Sequence, residues 1–177
     1  MSATKVILVN EQDQPIGLMD KMEAHRKGIL HRAFSVFLFD KNGRMLLQQR
    51  AKEKYHGALL WTNACCSHPL ENEKIEEAAQ RRLKEELGIT APLKKIFSFT
   101  YEAAVENELI EHEFDHVFAG EYDGSFFPDP KEIAAVEYRE MDKIKSSLQA
   151  SPEIFTSWFR IAFPKIESWW EERYGRS

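Results

Sequence analysis

At 177 residues, with 43% hydrophobic and 30% charged residues, the chain has the length for one domain (1–177) and the make-up of an ordinary globular protein. Its 24 Lys and Arg against 29 Asp and Glu leave a formal net charge of −5, which excludes a generally basic nucleic-acid-binding face. The two cysteines, Cys65 and Cys66, are adjacent and ill placed for a disulfide, and no apolar run reaches the length of a membrane span or carries a signal-peptide pattern. The expectation is a cytoplasmic monomer with reduced thiols, in which an anionic ligand is met by a local cluster of cations or by metal.

Lys5–Asn10 and Ile16–Leu18 read as short strands joined across Glu11–Pro15. Ala33–Phe39 and Arg44–Gln49 are expected to form a central hairpin, because Asn42-Gly43 is a strong tight-turn signal. From Asn72 the pattern turns helical: Ile75, Ala79, Leu83 and Leu87 recur every four residues, and Gly88 supplies a stop. Ile96–Tyr101, Leu109–Phe118 and Ile133–Tyr138 read as further strands. A C-terminal helix is expected from Pro152, with a kink or break before Pro164. Strands and helices alternate irregularly, which favours an α+β fold with a mixed β-sheet between helices.

The segment Ser67–Ile89, SHPLENEKIEEAAQRRLKEELGI, resembles the Nudix box, with Glu73, Arg81, Leu83, Glu85, Glu86, Gly88 and Ile89 at matching positions. It departs from the box twice: Ser67 replaces its opening Gly, and Arg82 replaces a metal-binding Glu with a cation. Upstream, Trp61-Thr62-Asn63-Ala64-Cys65-Cys66-Ser67-His68-Pro69 resembles the cysteine segment of type 1 isopentenyl-diphosphate delta-isomerases. That family's other two segments are matched by His25 with His31-Arg32-Ala33-Phe34-Ser35, and by Glu111-His112-Glu113-Phe114-Asp115-His116-Val117-Phe118. The resemblance implies a Nudix-like α/β/α sandwich and an enzyme that shifts the double bond of isopentenyl diphosphate to give dimethylallyl diphosphate.

Residue by residue, the resemblance implies Cys66 and Glu113 as the proton-transfer pair, Tyr101 bonded to the carboxyl, and Trp158 over the cationic carbon. Glu113 is assigned as acid and Cys66 as base in the forward direction; the opposite order uses the same pair. Lys21, Arg50, Lys54 and Arg82 fall on diphosphate-contacting positions, and Glu86 on the position that holds Mg²⁺ against the diphosphate. His25, His31, His68, Glu111 and Glu113 form a donor set suited to one Mn²⁺ or Zn²⁺. Glu111 and Glu113 stand at i and i+2 of a strand, so both project from one face, while His112 and His116 point from the other. His56, His112 and His116 are expected to be ordinary histidines, Glu106-Asn107-Glu108 to be solvated, and Cys65 to be a buried structural thiol. A Nudix hydrolase of a nucleoside diphosphate derivative is the competing reading; it explains Glu85 and Glu86 but neither Arg82 nor the pairing of Cys66 with His68. A zinc-binding module without activity is a third, and would be richer in cysteine.

Overall fold

A computed structural model describes residues 4–175, and among these, strands alternate irregularly with four α-helices. In order these are β1 (Lys5–Val9), β2 (Pro15–Asp20), α1 (Lys21–Lys27), β3 (His31–Phe39), β4 (Met45–Arg50), β5 (Trp61–Thr62), β6 (Cys65–Ser67) and α2 (Ile75–Leu87). There follow β7 (Lys94–Val105), β8 (Leu109–Glu121), β9 (Ile133–Arg139), α3 (Met141–Ala150), a 3₁₀ turn at Pro152–Ile154, and α4 (Ser157–Tyr174). All nine strands join one mixed sheet, in which β3 pairs parallel with β8 and antiparallel with β1 and β6.

β3 shows why the sheet is covered on both sides. Phe34, Val36 and Leu38 pack on one face against Ala79, Leu83 and Leu87 of α2. Phe37 and Phe39 point to the other face, where Ile144 of α3 and Phe159, Phe163 and Ile166 of α4 meet them. Each such fully buried side chain contributes about 1.5–3 kcal/mol of transfer free energy. The result is the expected α/β/α sandwich. β6 divides its two cysteines by the same alternation: Cys65 joins the α2 side, and Cys66 faces the opposite one.

Three expectations change. The Asn42-Gly43 turn forms, with Asp40 Oδ1 accepting from the amides of Asn42 and Arg44 at 3.0 and 2.9 Å, but β3 and β4 pair only at Phe39 and Met45. Beyond that point β3 follows β8 while β4 follows β9, and the short strands β6 and β5 line the gap between them. The last helix starts at Ser157, where the Thr156 hydroxyl accepts from Phe159 N at 3.3 Å; Pro152 opens the 3₁₀ turn instead. Pro164 sits inside α4 without ending it, because Phe159, Phe163 and Ile166 anchor both sides of the proline to the sheet and offset the missing hydrogen bond. α1 and α3 are additional to the expected elements; α1 is only seven residues long, capped by Asp20 and by Gly28 at φ 66°. Gly88 does end α2, at φ 67°, and a Cβ there would lie 2.8 Å from Phe127.

Candidate active site

The chemistry-bearing side chains collect on one face, over the gap between β3 and β4. Register sets His31 of β3 beside Glu113 of β8, and Tyr101 of β7 opposite the same Glu113. α1 adds His25, whose Nδ1 lies 2.6 Å from Lys21 O; His31 Nδ1 lies 2.8 Å from Ile29 O. A carbonyl oxygen only accepts, so both rings carry hydrogen on Nδ1 and turn Nε2 inward. There Glu113 Oε2 stands 3.2 Å from His31 Nε2 and 2.7 Å from His68 Nε2, and His25 Nε2 is buried without a hydrogen-bond partner among the described residues.

Imidazole and carboxylate lone pairs this close require a cation among them, either protons or a metal. The donor atoms of His25, His31, His68 and Glu113 all lie within 4.8 Å of one another, which fits one divalent ion. Burial pushes His68 down to about 4 and also lowers His25, keeping both in the neutral form that ligates. For His31 burial acts the same way and is the largest single effect, but the hydrogen bond and charge of Glu113, with the Ile29 carbonyl and the Glu111 charge, together outweigh it and raise its pKa. Glu113 is the reciprocal case: burial favours its neutral form, and the hydrogen bonds and charges of His31 and His68 together hold the carboxyl well below its ordinary range.

Glu111 departs from expectation. It does not join the four-residue group; it clusters with His25 and His56, its Oε1 lying 4.0 Å from His25 Nε2 and 2.9 Å from His56 Nε2. Tyr101 holds Glu111 there, its hydroxyl donating to Oε2 at 2.9 Å while also meeting Glu113 Oε1. His56 is therefore more than the ordinary histidine expected from the sequence. It is buried beside Glu111, its ring meets Trp158 edge-on at 5.8 Å, and Arg50 donates to its carbonyl oxygen at 3.0 Å. Its loop is tied down by the triplet expected to be merely solvated: Glu106 accepts from Gly57 N, and Asn107 donates to Tyr55 O, both at 2.7 Å. His112 and His116 do face away, toward Gly28 O and Asp13.

Cys66 sits on the same face as Glu113. Its thiol donates to Asn63 Oδ1 at 3.2 Å and lies 3.3 Å from Ser35 Oγ; burial, and then the charge of Asp115, push its pKa up. Lys21, Arg50, Lys54 and Arg82 border the cleft above, as do Cys66, Glu86 and Trp158. The Arg50 guanidinium lies 5.2 Å from the Trp158 ring centre. Glu132, which the sequence reading passed over, meets Lys54 at 2.7 Å and Arg82 at 3.6 Å. Burial, followed by repulsion from Arg82, lowers the pKa of Lys21. Glu86 is buried beneath these cations, 3.6 Å from Arg82, and accepts from the Cys65 thiol at 2.6 Å. Cys65 is thus buried as expected, but in contact with a polar site residue.

The NUDIX domain family model matches residues 29–159, so the acid-bearing α2, set against the mixed sheet with the cationic cleft at its start, belongs to a Nudix domain. A solved structure from Deinococcus radiodurans superposes with a TM-score of 0.70 at 20% identity, over 83% of this chain and 90% of its own. The MutT protein of Methanosarcina mazei superposes at 0.65 and 18%, over 81% and 96%. Both are similar in fold. Sequence similarity is narrower: the isopentenyl-diphosphate Delta-isomerase of Pectobacterium atrosepticum is 46% identical over 97% of this chain and 96% of its own, and that of Serratia proteamaculans matches it in all three figures. Within the Nudix domains, the chain belongs to the isopentenyl-diphosphate Delta-isomerase family.

Proposed function

We propose that this protein isomerises isopentenyl diphosphate to dimethylallyl diphosphate by protonation and deprotonation through a tertiary carbocation. The observation that carries this reading is the meeting of Cys66 and Glu113 in one cleft, beneath a rim of four cations. The diphosphate binds at Lys21, Arg50, Lys54 and Arg82, and Glu86 is the residue that would hold Mg²⁺ against it. His25, His31, His68 and Glu113 would hold one Mn²⁺ or Zn²⁺, and Glu111 stands beside them, 4.0 Å from His25 Nε2, in the second group with His56. When bound, that ion supplies positive charge that tunes the acidity of Glu113.

Glu113 is divided in function by its two oxygens. Oε2 faces the imidazoles, whereas Oε1 accepts from the Tyr101 hydroxyl; a carboxyl held below its ordinary range is a strong acid, protonated on Oε1 only in the form that begins the forward reaction. It delivers this proton to the terminal alkene carbon, leaving positive charge on the tertiary carbon. Cys66, acting as the thiolate, then takes a proton from the carbon next to the one bearing the diphosphate; the double bond becomes internal, and the pair ends as Glu113 carboxylate and Cys66 thiol, which exchange protons with solvent before the next turnover. Trp158 borders the cleft, 6% exposed, and its ring face stabilises the transient cation. Incubation with isopentenyl diphosphate followed by NMR tests the reading: the isomer is expected, whereas released phosphate identifies a hydrolase and an unchanged substrate refutes both.

Two outcomes follow from the surroundings of the pair. A desolvated cation–π contact is worth about 2 kcal/mol or more, so Trp158→Phe is expected to retain most of kcat and Trp158→Leu to lose tenfold or more, with smaller changes in KM. Steady-state kinetics at matched thermal stability measures this. The Cys65→Ala enzyme should keep the chemistry but need more Mg²⁺ for half-maximal rate, because Glu86 loses the thiol that orients it. A Mg²⁺ titration of the initial rate, with an unchanged midpoint as the contrary result, decides that point.

A further inference from the structure

Cys66 is held through a chain of side chains that the proton-transfer scheme leaves unused. Asn63 Nδ2 donates to Val36 O at 2.9 Å and to Cys65 O at 3.1 Å, which turns Asn63 Oδ1 toward Cys66 as an acceptor. On the other side Ser35 Oγ lies 3.3 Å from Cys66 Sγ and donates its hydrogen to Asp115 Oδ2 at 2.7 Å. That bond fixes the hydroxyl rotor, so Ser35 presents a lone pair, not a hydrogen, to the sulfur.

The sheet builds this arrangement. Ser35 of β3 is directly opposite Cys66 of β6, and Asp115 of β8 is in register with Ala33, two positions before Ser35 on the same face. Asp115 is 2% exposed, and its second oxygen, Oδ1, has no hydrogen-bond partner among the described residues. A carboxyl group so placed is a poor choice for stability, since an apolar side chain of similar size fills the space without an unmet acceptor. Its one bond goes to the serine that touches the reacting sulfur.

We infer that Ser35 and Asp115 are positioning residues for Cys66: Asp115 locks the Ser35 hydroxyl, and Ser35 with Asn63 aims the thiol into the cleft from two sides. The inference rests on the assignment of Cys66 as a proton-transfer group. The single thiol hydrogen goes to Asn63 Oδ1 while the Ser35 oxygen packs against the sulfur from the other side, so the side chain keeps one rotamer, and a loss of aim lowers the rate of proton transfer more than the binding of substrate.

The test uses the full-length, metal-loaded enzyme with Ser35→Ala, Asp115→Ala, Asp115→Asn and the Ser35→Ala/Asp115→Ala double variant. Ser35→Ala and Asp115→Ala should each lower kcat about tenfold, with KM within twofold and metal content unchanged. Asp115→Asn should recover most of kcat, because the amide oxygen still accepts from Ser35. The double variant should be no slower than either single one, since Asp115 acts through Ser35. A wild-type kcat in Ser35→Ala, or losses that multiply in the double variant, overturns the inference. If Asp115→Ala does not fold, Ser35→Ala and Asp115→Asn decide alone: a tenfold loss in the first with recovery in the second supports it, and equal losses overturn it. A wild-type protein that isomerises nothing refutes the proposed function itself, a result distinct from any of these.

Discussion

Cys66→Ala is expected to abolish isomerisation while leaving the fold and the metal content intact. Cys66 is the thiol on the cleft side of β6, and Cys65 lies on the α2 side, so the neighbouring cysteine has no access to the same carbon. Loss of a positioned proton-transfer group costs about 10²–10⁴ in rate. Truncation to Ala removes one sulfur from a side chain that is only partly buried, and no metal-facing residue depends on that sulfur. The measurement is kcat at saturating substrate, with thermal midpoint and bound metal determined on the same sample. Substantial turnover by Cys66→Ala, together with inactive Cys65→Ala, would mean that the two cysteines have exchanged faces.

Positions set by local periodicity were legible in the sequence, and those set by long-range packing were not. Glu111 and Glu113 share a face because a strand alternates, and the four-residue spacing through Leu83 and Leu87 with Gly88 as a stop placed α2. The family segments brought His25, His31 and His68 into view, although α1, which carries His25, is too short to declare itself by pattern. His56 was missed for a different reason. It lies on an irregular loop between β4 and β5, whose path depends on Arg50, Glu106 and Asn107 and not on any repeat of its own. Asp115 continues the 111, 113 alternation by one step, a signal that was available. Its partner Ser35, however, is 80 positions away, and only the parallel pairing of β3 with β8 joins them. The break expected at Pro164 failed similarly, because aromatic packing of α4 on the sheet outweighs a local preference.

Glu113→Gln is expected to eliminate turnover and, with it, the entry of solvent deuterium into product. A neutral amide is no effective proton donor, so the step that begins the reaction loses its acid. The same change removes the carboxylate charge beside His31 and His68, and metal retention should fall. Activity alone therefore does not separate the two losses. Glu111→Gln provides the contrast: Glu111 is held by Tyr101 and His56 and lies 4.0 Å from His25, so its substitution should weaken the metal while leaving the acid in place. With excess metal restored, Glu111→Gln should regain part of its rate and Glu113→Gln should not. Deuterated water gives the sharper readout for the wild-type enzyme. Protonation of the terminal carbon converts it to a methyl group, so a stepwise route places one solvent deuterium there for each turnover of exchanged enzyme. NMR of dimethylallyl diphosphate formed in deuterated water should show that methyl label. An unlabelled methyl group from an active enzyme, with the acid exchanged beforehand, would exclude protonation by Glu113 and require an internal hydrogen shift.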